Sequence, residues 1–149
     1  MFVATLLLAY IAARQVKDSR AIQRAHVFVL SPGYRFNFDN HGAIVGMRLW
    51  VILKNSGTTP ASNMTVLTGA TWATNVEDFV FGQPSEGARE TSIVLGPGAE
   101  IAGGDIDISP AHTLGNFNRQ GYQFLWGIVR YRDIFYRSRE HVLEFCFVP

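Results

Sequence analysis

The chain has 149 residues, 48% hydrophobic, 13% aromatic and 17% charged, which supplies the apolar material of one packed domain and excludes a disordered chain. Thirteen Lys and Arg against twelve Asp and Glu leave a formal net charge of +1, which provides no basic footprint for a nucleic-acid partner. The single cysteine, Cys146, excludes an intrachain disulfide and a cysteine-built zinc site, and leans towards a reducing compartment.

Residues 1–24 read as an N-terminal helix. The run Phe2–Ala13 carries no charge, Arg14, Lys17, Arg20 and Arg24 follow it, and no Gly or Pro occurs before Pro32. Ala, Leu, Gln, Arg and Lys all favour helix. The apolar run rises only about 18 Å, against a hydrocarbon core of about 30 Å, so three readings compete. A signal peptide fits the length but lacks a basic start and has Ile11 where a small residue should stand. A helix docked on the domain needs one apolar stripe, whereas this run is apolar all round. A membrane anchor, short because the chain starts late or because its flanks snorkel, is the reading adopted. Basic residues after the run and none before it place the following domain in the cytoplasm.

Residues 25–149 read as the domain. Ala25–Leu30 and Tyr34–Phe38 are short β-type runs with a break at Ser31-Pro32-Gly33. Ile44–Lys54 is the clearest strand, with Val45, Met47, Leu49, Val51 and Leu53 on one face and Arg48 and Lys54 on the other. It stops at Asn55-Ser56-Gly57, and Pro60 marks a crossing at the sheet edge. Ser62–Thr74 is extended, Asn75–Glu90 is a long loop, and Thr91–Leu95 is a strand ended by Gly96-Pro97-Gly98. Ala99–Ser109 is a strand bulged at Gly103-Gly104. Pro110–Phe117 makes one helical turn, capped by Ser109 with Pro110 in first position. Tyr122–Arg132 and Glu140–Val148 form a hairpin. About seven strands at this spacing make an all-β antiparallel sandwich.

Charge selects the register of that hairpin. With Phe135-Tyr136-Arg137 as the loop, Arg132 faces Glu140 and Asp133 faces Arg139; a loop of Asp133–Tyr136 would instead oppose Arg130 to Arg139 and Arg132 to Arg137. The favoured register makes a core face of Leu125, Val129, Tyr131, His141, Leu143, Phe145 and Phe147, with Phe145 covering Gly127. The other face, with Phe124, Trp126, Ile128, Arg130 and Glu144, is mixed and partly covered. Cys146, between Phe145 and Phe147, reads as a small buried hydrophobe.

The stretch Lys54-Asn55-Ser56-Gly57-Thr58-Thr59-Pro60-Ala61-Ser62-Asn63, followed later by Leu95-Gly96-Pro97-Gly98, resembles immunoglobulin-like domains of the adhesion-associated kind. Those carry N-x-G…A after one strand and an L-x-P-G turn before a later one. The ending Gly127-Ile128-Val129-Arg130-Tyr131-Arg132-Asp133-Ile134-Phe135, with His141 and Phe145-Cys146, is similar to small, uncharacterised bacterial membrane-anchored proteins that place apolar helices ahead of such a domain. The resemblance runs from about Val27 to Phe147. It implies an immunoglobulin-like sandwich and an anchor, and it carries no active site.

Candidate chemistry is sparse. His26, His41, His112 and His141 stand singly, without H-x-x-x-H or H-E-x-x-H spacing. His141, Asp133 and Ser138 have the residue types of a hydrolase triad, but no G-x-S-x-G or oxyanion loop accompanies them. Asp105 and Asp107 flank Ile106 and share a strand face; such a pair can bind Ca²⁺ or work as acid and base, and the wet face of a strand is the plainer reading. Neither Gly96-Pro97-Gly98 nor Gly103-Gly104 leads into a phosphate-loop helix. Asn63-Met64-Thr65 matches a glycosylation acceptor by pattern alone. Arg130, Arg132, Arg137 and Arg139 suit anionic headgroups, and pairing with Glu140 and Glu144 explains them more simply. No catalytic residue, metal ligand or cofactor is assigned.

The expected function is a membrane-tethered, non-enzymatic interaction or scaffold module, with lipid as the helix's partner and an unknown protein as the domain's. The alternative is a small-ligand or carbohydrate-binding sandwich. Trp50, Trp72, Trp126, Arg130 and Arg132 are the candidate contact residues. Exposure discriminates: a solvent-facing Trp in a concave site favours a ligand, three buried ones a scaffold.

Overall fold

The computed structural model describes residues 10–19, 23–82, 88–118, 121–135 and 139–148, the side chains of residues 114–117 excepted. Helix α1 occupies residues 10–19, every one of them exposed, and Gln23 N donates to Ser19 O at 3.0 Å beyond it. The expected helix through residue 24 is thus seen over ten residues, and Arg24 lies in a bend. Among the described residues no helix is long and apolar enough to cross a membrane. Most of the apolar run, residues 2–9, lies outside them.

Seven strands follow: β1 Val27–Phe38, β2 Ile44–Asn55, β3 Ala61–Ala73, β4 Arg89–Leu95, β5 Glu100–Ile108, β6 Tyr122–Arg132 and β7 His141–Phe147. They form two antiparallel sheets, β1-β2-β5 and β4-β3-β6-β7. The inner faces share one core, in which Leu49, Val51 and Leu53 of β2 and Ile106 of β5 meet Val66 of β3 and Leu125 of β6. Helix α2, Pro110–Phe117, joins β5 to β6 and is longer than the single turn expected. Its start is capped as expected, with Ser109 Oγ accepting from His112 N at 3.4 Å and Ser109 O from Thr113 N at 3.0 Å.

Several local expectations change. Ser31-Pro32-Gly33 is no break: β1 runs straight through it, with a bulge between Val29 and Ser31. An edge strand tolerates Pro32, and the Trp50 indole packs across Gly33, where no side chain would fit. Val45 leaves the buried stripe of β2 and is 45% exposed, because the ladder shifts register opposite Asn37 and Phe38. The segment after β3 is not open loop throughout. A 3₁₀ turn at Val76–Asp78 precedes Phe79 and Phe81, which cover Phe124 and Trp126 at ring separations of 4.3 and 5.6 Å. Residues 83–87 lie outside the described residues, and β4 begins at Arg89.

The bulge in β5 falls as expected, at Gly104 (φ +68°), where a Cβ would collide with Thr68. The C-terminal hairpin takes the charge-selected register, with Leu125 opposite Phe147, Val129 opposite Leu143 and Tyr131 opposite His141. Phe145 covers Gly127. Two details differ. Cys146 is exposed, on the outer face opposite Trp126. Asp133 is fully buried and pairs with Arg24 and His141.

Strand directions sort the molecule into two poles. β1, β3, β5 and β7 run one way, and β2, β4 and β6 the other. Arg24, Asn55, Leu95, Asp133 and His141 therefore gather at the pole where the chain enters. Ala73, Ile108, α2 and Tyr122 lie at the opposite pole.

Candidate functional site

At the entry pole, Asn55 is wholly buried. Its Oδ1 accepts from His26 N (3.1 Å) and Gly57 N (3.0 Å). Its Nδ2 donates to Thr59 O (2.8 Å), Leu95 O (3.1 Å) and Gly96 O (3.2 Å). The N-x-G and L-x-P-G turns, far apart in sequence, are thus joined by one amide. This is a structural hub, with every polar atom committed.

Beside it lies the densest charged cluster. Asp133 Oδ2 sits 3.0 Å from Arg24 Nε and 3.1 Å from His141 Nε2, and Arg24 Nη2 is 3.0 Å from that same ring nitrogen. The Asp133 side chain is 0% exposed, and its Oδ1 accepts from Phe135 N at 2.9 Å. Tyr131 stacks on His141 at 4.9 Å, and its hydroxyl reaches Ala25 O and Val27 N at 3.4 Å each. Asp133 therefore fastens Arg24 to the hairpin. The hydrolase triad fits this geometry poorly: the His141 nitrogen nearest Asp133 is already engaged by Arg24, and Ser138 lies outside the described residues.

At the opposite pole the two sheets part around a cleft of about 380 Å³, towards the lower end of small-molecule sites. β3 contributes Ala70, Thr71 and Trp72, and β6 contributes Gln123. The end of β5 brings Asp107, Ile108 and Ser109, and α2 brings His112. Trp72 and Gln123 are ladder neighbours on the inner face, where the apolar core gives way to polar groups. The Trp72 and His112 rings stack 5.5 Å apart and 4° from parallel. Asp107 is held by Arg48 in a two-pronged contact of 2.8 and 3.3 Å, and this hydrogen bond raises the Arg48 pKa above its ordinary value. Thr71 Oγ1 accepts from Trp126 Nε1 at 3.0 Å.

Gln123 is the unusual member. It is 1% exposed, its Nε2 reaches Phe124 O only at 3.5 Å, and its Oε1 has no hydrogen-bond partner. An unmet buried acceptor costs about 1–3 kcal/mol, and a methyl-bearing side chain there would avoid that cost.

The sequence-derived contact residues are not brought together. Trp126 is 1% exposed, sealed beneath Phe81. Trp50 is half-buried in a shallow recess of about 240 Å³ with Arg35, Arg48, Ala102 and Asp105. Trp72 alone of the three lines the interlayer cleft. Arg130 and Arg132 lie towards the entry pole, and among the described residues neither forms an ion pair with Glu140 or Glu144. No group of three or more His, Cys, Asp or Glu among the described residues is placed to hold a metal ion. Gln123 escaped sequence reading, its one signal a lone amide inside the apolar run Tyr122–Val129; Ser109 and His112 were read only as a helix cap and a lone histidine. Comparison with protein families, curated proteins and solved structures finds no match to the chain.

Proposed function

We propose that the chain is a membrane-tethered, non-enzymatic module that presents an immunoglobulin-like sandwich, on the cytoplasmic side, to a protein partner. One observation carries the tether: α1 continues the apolar run Phe2–Ala13, yet all its described residues are exposed, Tyr10 at 64% and Val16 at 50%. A helix that served the domain by packing would bury a stripe. The strand order supports the immunoglobulin-like reading, since β1-β2-β5 facing β3-β6-β7 matches that Greek key, with β4 transferred to the second sheet. Exposed Val94 (68%) on β4 and Val142 (56%) on β7 support a protein partner at the sheet edges.

Membrane fractionation of the full chain tests the tether. The wild type is expected in the carbonate-resistant membrane pellet. Leu7→Glu, which puts a charge in the apolar run, should move it to the supernatant. Wild-type protein that stays in the supernatant would defeat the proposal. A second reading, small-ligand or carbohydrate binding, is favoured by Trp72 lining a concave site.

A further inference from the structure

We propose that the cleft between Trp72 and Gln123 binds a neutral polyhydroxylated ligand the size of one or two sugar rings, an inference that rests on the second reading above.

The lining decides the chemical class. An anion is disfavoured because, among the described residues that line the cleft, His112 alone has a side chain able to carry positive charge. A cation gains little, since Asp107, the one carboxylate among the described lining residues, lies on the outer face of β5 and is already neutralised by Arg48. A wholly apolar ligand would leave Gln123 Oε1 as unpartnered as it is without one. A polyol meets both sides of the site. Its hydroxyls supply the donor that Gln123 Oε1 lacks, and its C–H face packs on an indole. Ser109 and His112 add polar groups at the exposed mouth. Gln123 Oε1 is closed to solvent, so engagement requires its amide to turn into the cleft. That rotation selects for a ligand offering a hydrogen-bond donor at the floor.

The test uses full-length protein in nanodiscs, with D-glucose, N-acetyl-D-glucosamine and cellobiose as probes in saturation-transfer NMR and calorimetry. At least one probe is expected to bind in the millimolar range or tighter, with Trp72→Ala and Gln123→Leu each weakening it by about tenfold or more. Gln123→Leu should keep or raise the Tm, so lost binding would not reflect lost folding. Absence of binding by all three probes at ~10 mM overturns the proposal. So does equal binding by wild type and Gln123→Leu, which would place the sugar elsewhere, or an ordered water satisfying Gln123 with no sugar bound. Leu7→Glu protein should retain the affinity of the wild type, so loss of the tether and loss of the ligand site are separately readable.

Discussion

The amide of Asn55 makes five hydrogen bonds to backbone groups of three separate segments. Asn55→Leu would strand several of those groups in the core and should cost about 3 kcal/mol in equilibrium denaturation. Asn55→Asp should be at least as damaging at neutral pH, because a carboxylate would face three carbonyl oxygens. Thr68 offers the opposite case. Its hydroxyl is buried without a partner, so Thr68→Val is expected to be neutral or to stabilise by up to about 1 kcal/mol. Cys146 is exposed, yet partial desolvation raises its thiol pKa. The thiolate is the reactive form, so maleimide labelling of the native protein should rise with pH through a midpoint above the ~8.5 of a free thiol. None of these environments was legible locally. Asn55 and Leu95 each read as turn chemistry, and only the fold brings the two turns within reach of one side chain. Cys146 read as buried because its neighbours are both phenylalanines, while strand alternation turns it to the other face.

Among the elements, the hairpin of β6 and β7 was the most legible. Its strands are close in sequence, so opposite charges, an apolar stripe and the Phe145–Gly127 fit all constrain the same register. The run through Ser31-Pro32-Gly33 was not legible, because its strand character depends on an edge position and on Trp50 from the adjacent strand. The cleft was hidden for a similar reason: Trp72, Asp107 and Gln123 come from three strands in two sheets. The Arg24–Asp133–His141 cluster also spans the chain, joining the entry bend to the hairpin. Asp133→Ala should destabilise by about 2 kcal/mol, less than the ~3–5 of a fully buried pair because Arg24 keeps solvent contact. Amide exchange should then quicken at Ala25–Val27 and at the start of β7. Unchanged protection there would show that the cluster does not hold the entry segment.

At the scale of the molecule, the poles separate the proposed tether from the proposed ligand site. The helix, Arg24, Asp133 and His141 lie at one end, and the cleft and α2 at the other. β6 spans the interval with eleven residues, Tyr122–Arg132, a length of roughly 33 Å at ~3.3 Å per residue. A charged surface loses its potential over about 8 Å at physiological salt, so a ligand at the far end would stand about four decay lengths from lipid held at the near end. Its local concentration there would be that of the bulk solution, undistorted by headgroup charge. Sugar affinity should accordingly be the same in nanodiscs of neutral and of anionic lipid, whereas contacts made by Arg132 and Arg139 near the entry would respond to the change.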